Sequence, residues 1–143
     1  MFNCQLMKLL KYILFPSFFL LWTLDGQAQY DRYFYNWSNR GDIESVTTNV
    51  PGEVVFKSWE SNSFLFEYHI RISNVPRATF LALLKTGRYR LQEEHKDRNL
   101  HLFVDKGAFR IFVSDVGQAQ EDVVLTIYYP EEYVVNGEQV ILK

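Results

Sequence analysis

The sequence predicts a mainly β fold bordering on α+β, with antiparallel sheets in a sandwich-like arrangement and one short helix over about residues 76–86. Three observations predict it. Aromatic residues are abundant, with nine Tyr, twelve Phe and three Trp, and such side chains suit a pleated, half-buried surface. Apolar residues alternate at period two, most plainly in Phe64, Phe66, Tyr68, Ile70 and Ile72. Turn-forming residues punctuate these runs, notably Pro51-Gly52, Gly107 and Asn136-Gly137.

At the N-terminus, Lys8 and Lys11 precede an apolar run from Tyr12 to Leu24, and Gly26 and Ala28 follow as small residues before a cut after Ala28. This pattern reads as a secretory signal peptide. A membrane-spanning helix needs about 20 apolar residues, and Pro16 interrupts this run. The expected organisation is a signal peptide at 1–28, an N-terminal arm at 29–42 and one β-rich domain at 43–143. Export to the periplasm, surface or exterior of a bacterial, Gram-negative cell follows, with no transmembrane span after cleavage.

Tyr30–Trp37 reads as a loose arm or an edge strand. A strand is expected over Ile43–Thr48, ended by Pro51-Gly52. Val54, Phe56 and Ser58 then point one way and Val55, Lys57 and Trp59 the other, with a turn at Glu60–Asn62. The Phe64–Ile72 strand is the clearest of all, because a one-residue slip would bury Glu67, His69 and Arg71. Pro76 near a helix start, Gly87 past its end and a face of Phe80, Leu81, Leu83 and Leu84 predict the helix, with Leu81 and Leu84 facing the sheet. Tyr89 and Leu91 open a strand that runs into the charged turn Glu93–Asn99. Leu100–Val104 and Phe109–Val113 read as a hairpin about Gly107, and Val123–Tyr129 as a strand stopped by Pro130. A two-residue turn at Asn136-Gly137 should pair Tyr133–Val135 with Glu138–Val140.

Catalytic and metal-binding patterns are sparse. Cys4 is the only cysteine and precedes the expected cut, so the mature chain would carry no disulfide and no thiolate chemistry. The histidines His69, His95 and His101 show no metal-ligand spacing. His101 and Asp105 share a strand face, and His95 sits among Glu93, Glu94 and Asp97. The carboxylate pairs Glu93-Glu94, Glu121-Asp122 and Glu131-Glu132 are sequence neighbours, which a strand directs to opposite faces. No serine lies in a nucleophile elbow. No cofactor is expected. A net charge of −2 without a basic block disfavours nucleic acid. Arg40-Gly41-Asp42 matches a cell-attachment tripeptide, and Asn36 opens a glycosylation sequon.

The order "VTTNVPGEVVFKSWESNSFLFEYHIRIS", a short helix, "YRLQEEHKDRNLHLFV" and "DVVLTIYYPEEYVV" resembles the entry portion of bacterial adhesin domains of the β-solenoid head type. Gly52-Glu53-Val54, Trp59-Glu60, the Phe64–Ile72 strand and Leu125–Pro130 occupy the places that carry the likeness. The resemblance implies an exported protein of short stacked strands and supplies no catalytic residues. The family's coils would follow Pro130, and here they are missing.

These readings converge on an exported, non-enzymatic, adhesin-like interaction module of the cell envelope or surface. One alternative is a periplasmic sensor or accessory domain for a membrane-anchored envelope-stress partner. Another is a small carbohydrate-active or hydrolytic enzyme. The interaction surface is expected at Trp59, Tyr33, Tyr35 and Trp37, and at Val140 on a final strand with an open edge. Its partner is expected to be a protein or a second copy joined by strand addition, with a cell-surface glycan as a further class.

Overall fold

The computed structural model describes residues 28–105, 113–114 and 117–143. Its strands are β1 (Gln29–Asn39), β2 (Ser45–Asn49), β3 (Glu53–Trp59), β4 (Ser63–Ser73), β5 (Gln92–Lys96), β6 (Asn99–Phe103), β7 (Val113–Ser114), β8 (Gly117–Gln118), β9 (Gln120–Pro130), β10 (Tyr133–Asn136) and β11 (Gln139–Leu142). One helix, α1, spans Arg77–Lys85. Over the described residues the protein is mainly β with one short helix.

Alternation at period two decides which side chains enter the core. Phe64, Phe66, Tyr68, Ile70 and Ile72 of β4 are fully buried, and Leu125 and Ile127 of β9 lie on the same face, opposite Tyr68 and Phe66. Val46, Leu100, Leu102 and Val140 of the second sheet complete one shared core. Phe64 meets Tyr133 edge-on at 4.9 Å and links the two layers. Tyr133 also donates its hydroxyl to the Ile43 carbonyl at 2.5 Å, fixing the end of the second sheet to the loop before β2.

The first sheet has the order β1-β4-β9-β3 and the second β10-β11-β2-β6-β5. Both are mixed rather than antiparallel. β3 runs parallel to β9, and β2 parallel to β6. The turn at Glu60–Asn62 joins β3 to β4 without pairing them, because β9 lies between. Gly52 makes this insertion possible. Its φ is +99°, and a Cβ there would sit 2.2 Å from the Val123 carbonyl oxygen, so only glycine lets β3 enter so close to β9.

Several local expectations are revised. Of the two readings for Tyr30–Trp37, a loose arm or an edge strand, the edge strand holds: β1 is paired with β4 along its whole length and ends its sheet. Glu93–Lys96 is strand rather than turn, and the chain reverses at Asp97-Arg98, with Asp97 at φ 54°. The C-terminal hairpin turns on Gly137-Glu138, one residue later than the Asn-Gly signal, and pairs Asn136 with Gln139. Gly137, at φ 62°, takes the first central position, where a II′ turn calls for glycine. The final strand is internal, bounded by β10 and β2. The Phe109–Val113 strand and the turn at Gly107 fall outside the described residues except for Val113, which belongs to β7.

Helix α1 begins at Pro76, whose carbonyl accepts from Phe80 N–H at 3.1 Å. It closes with Thr86 donating from its N–H to Ala82 and from its hydroxyl to Leu83, followed by Gly87 at φ 74°. Phe80 is buried and stacks on Tyr30 of β1 at 5.1 Å. Leu83 and Leu84 pack against the core, whereas Leu81 is 45% exposed. The expected inward face of Leu81 is therefore corrected: the stripe turns about Phe80 and Leu84 instead.

Candidate binding face

The same alternation that buries one face of the first sheet leaves the other to solvent. Residues 31, 33, 35 and 37 of β1 pair with 71, 69, 67 and 65 of β4 and share this outer face. Leu65 is opposite Tyr128 of β9, which is opposite Lys57 of β3. The result is a wall of rings. Tyr33, Tyr35 and Trp37 are 47%, 56% and 63% exposed.

The rings are ordered by contact. Tyr33 stacks on His69 with centroids 4.1 Å apart and planes within 2°, and meets Tyr35 at 6.4 Å. Trp37 meets Trp59 at 5.6 Å, and Trp59 meets Tyr128 at 5.8 Å. The Trp59 indole donates to the Ser63 carbonyl at 2.8 Å, which holds the ring back over the sheet. The Lys57 ammonium lies 5.4 Å from the Tyr128 ring centre, within cation–π range.

A charged cluster closes the opposite end. Asp31 receives a hydrogen bond from Gln29 at 3.1 Å, contacts His69 Nε2 at 2.9 Å, and accepts from Arg71 at 3.2 Å. Those hydrogen bonds, the Gln29 one foremost, then His69 and Arg71, hold its carboxyl below the ordinary value. The Tyr35 phenol is raised, first by shielding from water and then by the Glu67 carboxylate. The face therefore offers ring surfaces for apolar contact beside donors and acceptors of both signs.

Four expected residues, Tyr33, Tyr35, Trp37 and Trp59, come together here. Val140 does not. It is fully buried, paired with Val135 on one side and Val46 on the other, so it forms no surface and no open edge. The physical reason is that β2 pairs along the side of β11 that the expected hairpin leaves open, a long-range pairing that alternation alone does not reveal. Sequence reasoning passed over Asp31, Lys57, His69 and Tyr128 as members of this face; the signal was their shared parity with Tyr33 and Trp59, which register across β4 and β9 makes visible.

The other expected features are dispersed. Arg40 pairs with Glu132 at 2.8 Å, which engages the cationic end of the attachment tripeptide. Asn36 is half-buried and donates to Glu93 at 3.1 Å. The outer face of the second sheet is polar: Asn99 bonds Ser45 and Thr47, and Thr47 contacts His101 Nδ1 at 3.0 Å. Asp105 and His101 line an open cleft of about 410 Å³ with Glu94. A second cleft of about 440 Å³, lined by Glu60, Asn62, Glu131 and Glu132, adjoins the aromatic wall at Trp59. Among the described residues no group of three or more His, Cys, Asp or Glu gathers as a metal site, and no helix is long and apolar enough to cross a membrane. Comparison with protein-family models, with curated proteins and with solved structures finds no match.

Proposed function

We propose that the chain is an exported, non-enzymatic interaction module of the bacterial envelope or surface, adhesin-like in use, whose working surface is the aromatic wall of the first sheet. The observation that carries this reading is the exposed row Tyr33, Tyr35 and Trp37, continued by Trp59 and Tyr128 over one sheet face. Soluble proteins rarely leave contiguous large rings in water unless a partner covers them. Tyr and Trp are also the side chains that dominate binding hot spots. The N-terminal pattern of charge, apolar run and small residues supports export. The carboxylate-lined cleft beside Trp59 gives less support to an enzyme, because Glu132 is already held by Arg40.

The test is binding of the protein to cell-envelope fractions, with the isolated chain first sequenced to establish that it starts at Gln29. Trp37→Ala with Trp59→Ala removes two adjoining rings and should weaken binding about thirtyfold or more, as loss of hot-spot anchors does. Protease treatment of the envelope separates a protein partner from a glycan, which periodate would destroy instead. A double variant that binds as tightly as the parent, or a chain that retains Met1, overturns the reading.

A further inference from the structure

Among the described residues the two sheets end in β1 and β3, and in β10 and β5. Three of these edges are blunted against further pairing. β10 has only four residues. β5 has five and carries Glu93, Glu94, His95 and Lys96. β3 has seven, with Glu53 at its start and Lys57 within. Short length and charge are the means by which edge strands avoid added strands.

β1 is the least protected, its two charges, Asp31 and Arg32, both lying near one end. It runs eleven residues, and from Tyr33 to Asn39 it carries no charge. Alternate residues of a paired strand turn their N–H and C=O away from the neighbour, so β1 offers a row of donors and acceptors on the side away from β4. Tyr33 adds a second sign. Its ring lies flat on His69 across the strand pair, which turns the opposite ring face toward the open edge.

We propose that β1 pairs with β1 of a second copy, antiparallel, about a two-fold axis through Phe34. This rests on the reading of the chain as an interaction module and names one partner for it. The register follows from symmetry. Opposed residues must lie on the same sheet face, so their numbers sum to an even value, and only a centre at Phe34 engages all eleven residues. Tyr33 is then opposite the copy's Tyr35, twice over, and Phe34 is opposite its own counterpart. Asp31 meets Trp37 and Arg32 meets Asn36, so no like charges are opposed. An unrelated strand would have no reason to match this pattern from both ends, whereas a second copy does so by construction.

Sedimentation velocity of the protein as isolated from the cell tests the pairing. Tyr33 and Tyr35 are both about half exposed, so Tyr33→Lys with Tyr35→Lys, and Tyr33→Glu with Tyr35→Glu, should leave the fold intact by circular dichroism. In this register each double variant opposes like charges. The parent should dimerise at about micromolar concentration, each variant should dimerise about a hundredfold more weakly, and an equimolar mixture of the two should associate again. A parent that stays monomeric, variants that dimerise like the parent, or a mixture that fails to associate each overturns the proposal. With Cys4→Ser present, Tyr33→Cys and Tyr35→Cys chains should cross-link to each other on oxidation; preferential cross-linking of Tyr35→Cys to itself would move the axis and overturn the register. A monomer that still binds the envelope through Trp37 and Trp59 refutes the pairing alone. A dimer that binds nothing refutes the envelope-binding face alone.

Discussion

Tyr68 has the one buried side-chain oxygen or nitrogen without a hydrogen-bond partner among the described residues. Its burial, and next the Glu121 charge, push the phenol pKa upward. Tyr89 shows the satisfied alternative. Its hydroxyl donates to Glu121 at 2.8 Å, and Arg88 holds the same carboxylate with Nε at 3.2 Å and Nη2 at 3.1 Å. An unsatisfied buried polar group costs about 1–3 kcal/mol, whereas a hydrogen bond to a charged group contributes about 1.5–3 kcal/mol. The two tyrosines should therefore respond to the same substitution with opposite signs. Tyr68→Phe should raise the free energy of unfolding by about 1 kcal/mol, and Tyr89→Phe should lower it by about 2 kcal/mol. Urea unfolding measures both. A Tyr68→Phe chain less stable than the parent would show that its hydroxyl has a partner.

At the scale of elements, α1 and β1 depend on each other. The helix presents little continuous apolar face, since Phe80 is its one buried residue while Leu83 and Leu84 are half-covered. Phe80 stacks on Tyr30, so it ties the helix to the start of β1. Phe80→Ala should cost about 3–5 kcal/mol through lost burial and the cavity left behind. Leu81→Ala, at a site 45% exposed, should change stability by less than about 0.5 kcal/mol. Thermal or urea unfolding of the two variants settles the orientation of the helix, and equal losses at both sites would place it wrongly.

The molecule as a whole should be sensitive to alkali. Burial is the first cause that raises the pKa of Tyr68, Tyr89 and Tyr133, with the Glu121 carboxylate adding to the first two. All three phenols thus hold their protons in the folded state above the ordinary value of 10.0. The unfolded chain loses them first, so the native state binds more protons there, and stability must fall as pH rises. This contribution is complete below about pH 9 and is lost progressively above about pH 10. Denaturant midpoints measured from neutral to alkaline pH should show that fall. The phenolate absorbance of these tyrosines should appear with unfolding and not before it. A midpoint unchanged above about pH 10 would contradict the burial of these hydroxyls.

Much of this architecture is legible residue by residue, because which way a side chain points is a local property. Alternation in Phe64–Ile72 marks the buried face of β4 without reference to any neighbour. Pro76 and Gly87 bracket α1 through backbone geometry alone. The rings at Tyr33, Tyr35 and Trp37 share a parity that places them on one face as soon as β1 is a strand. Strand neighbours are a different matter. A period of two says nothing about which strand lies beside which, or in which direction. The insertion of β9 between β4 and β3, the two parallel pairings and the docking of β11 on β2 that buries Val140 are decided by which packing encloses the most apolar surface at once. The same long-range choice sets Trp59 of β3 against Trp37 of β1, and leaves β1, an edge with two charges in eleven residues, on the outside.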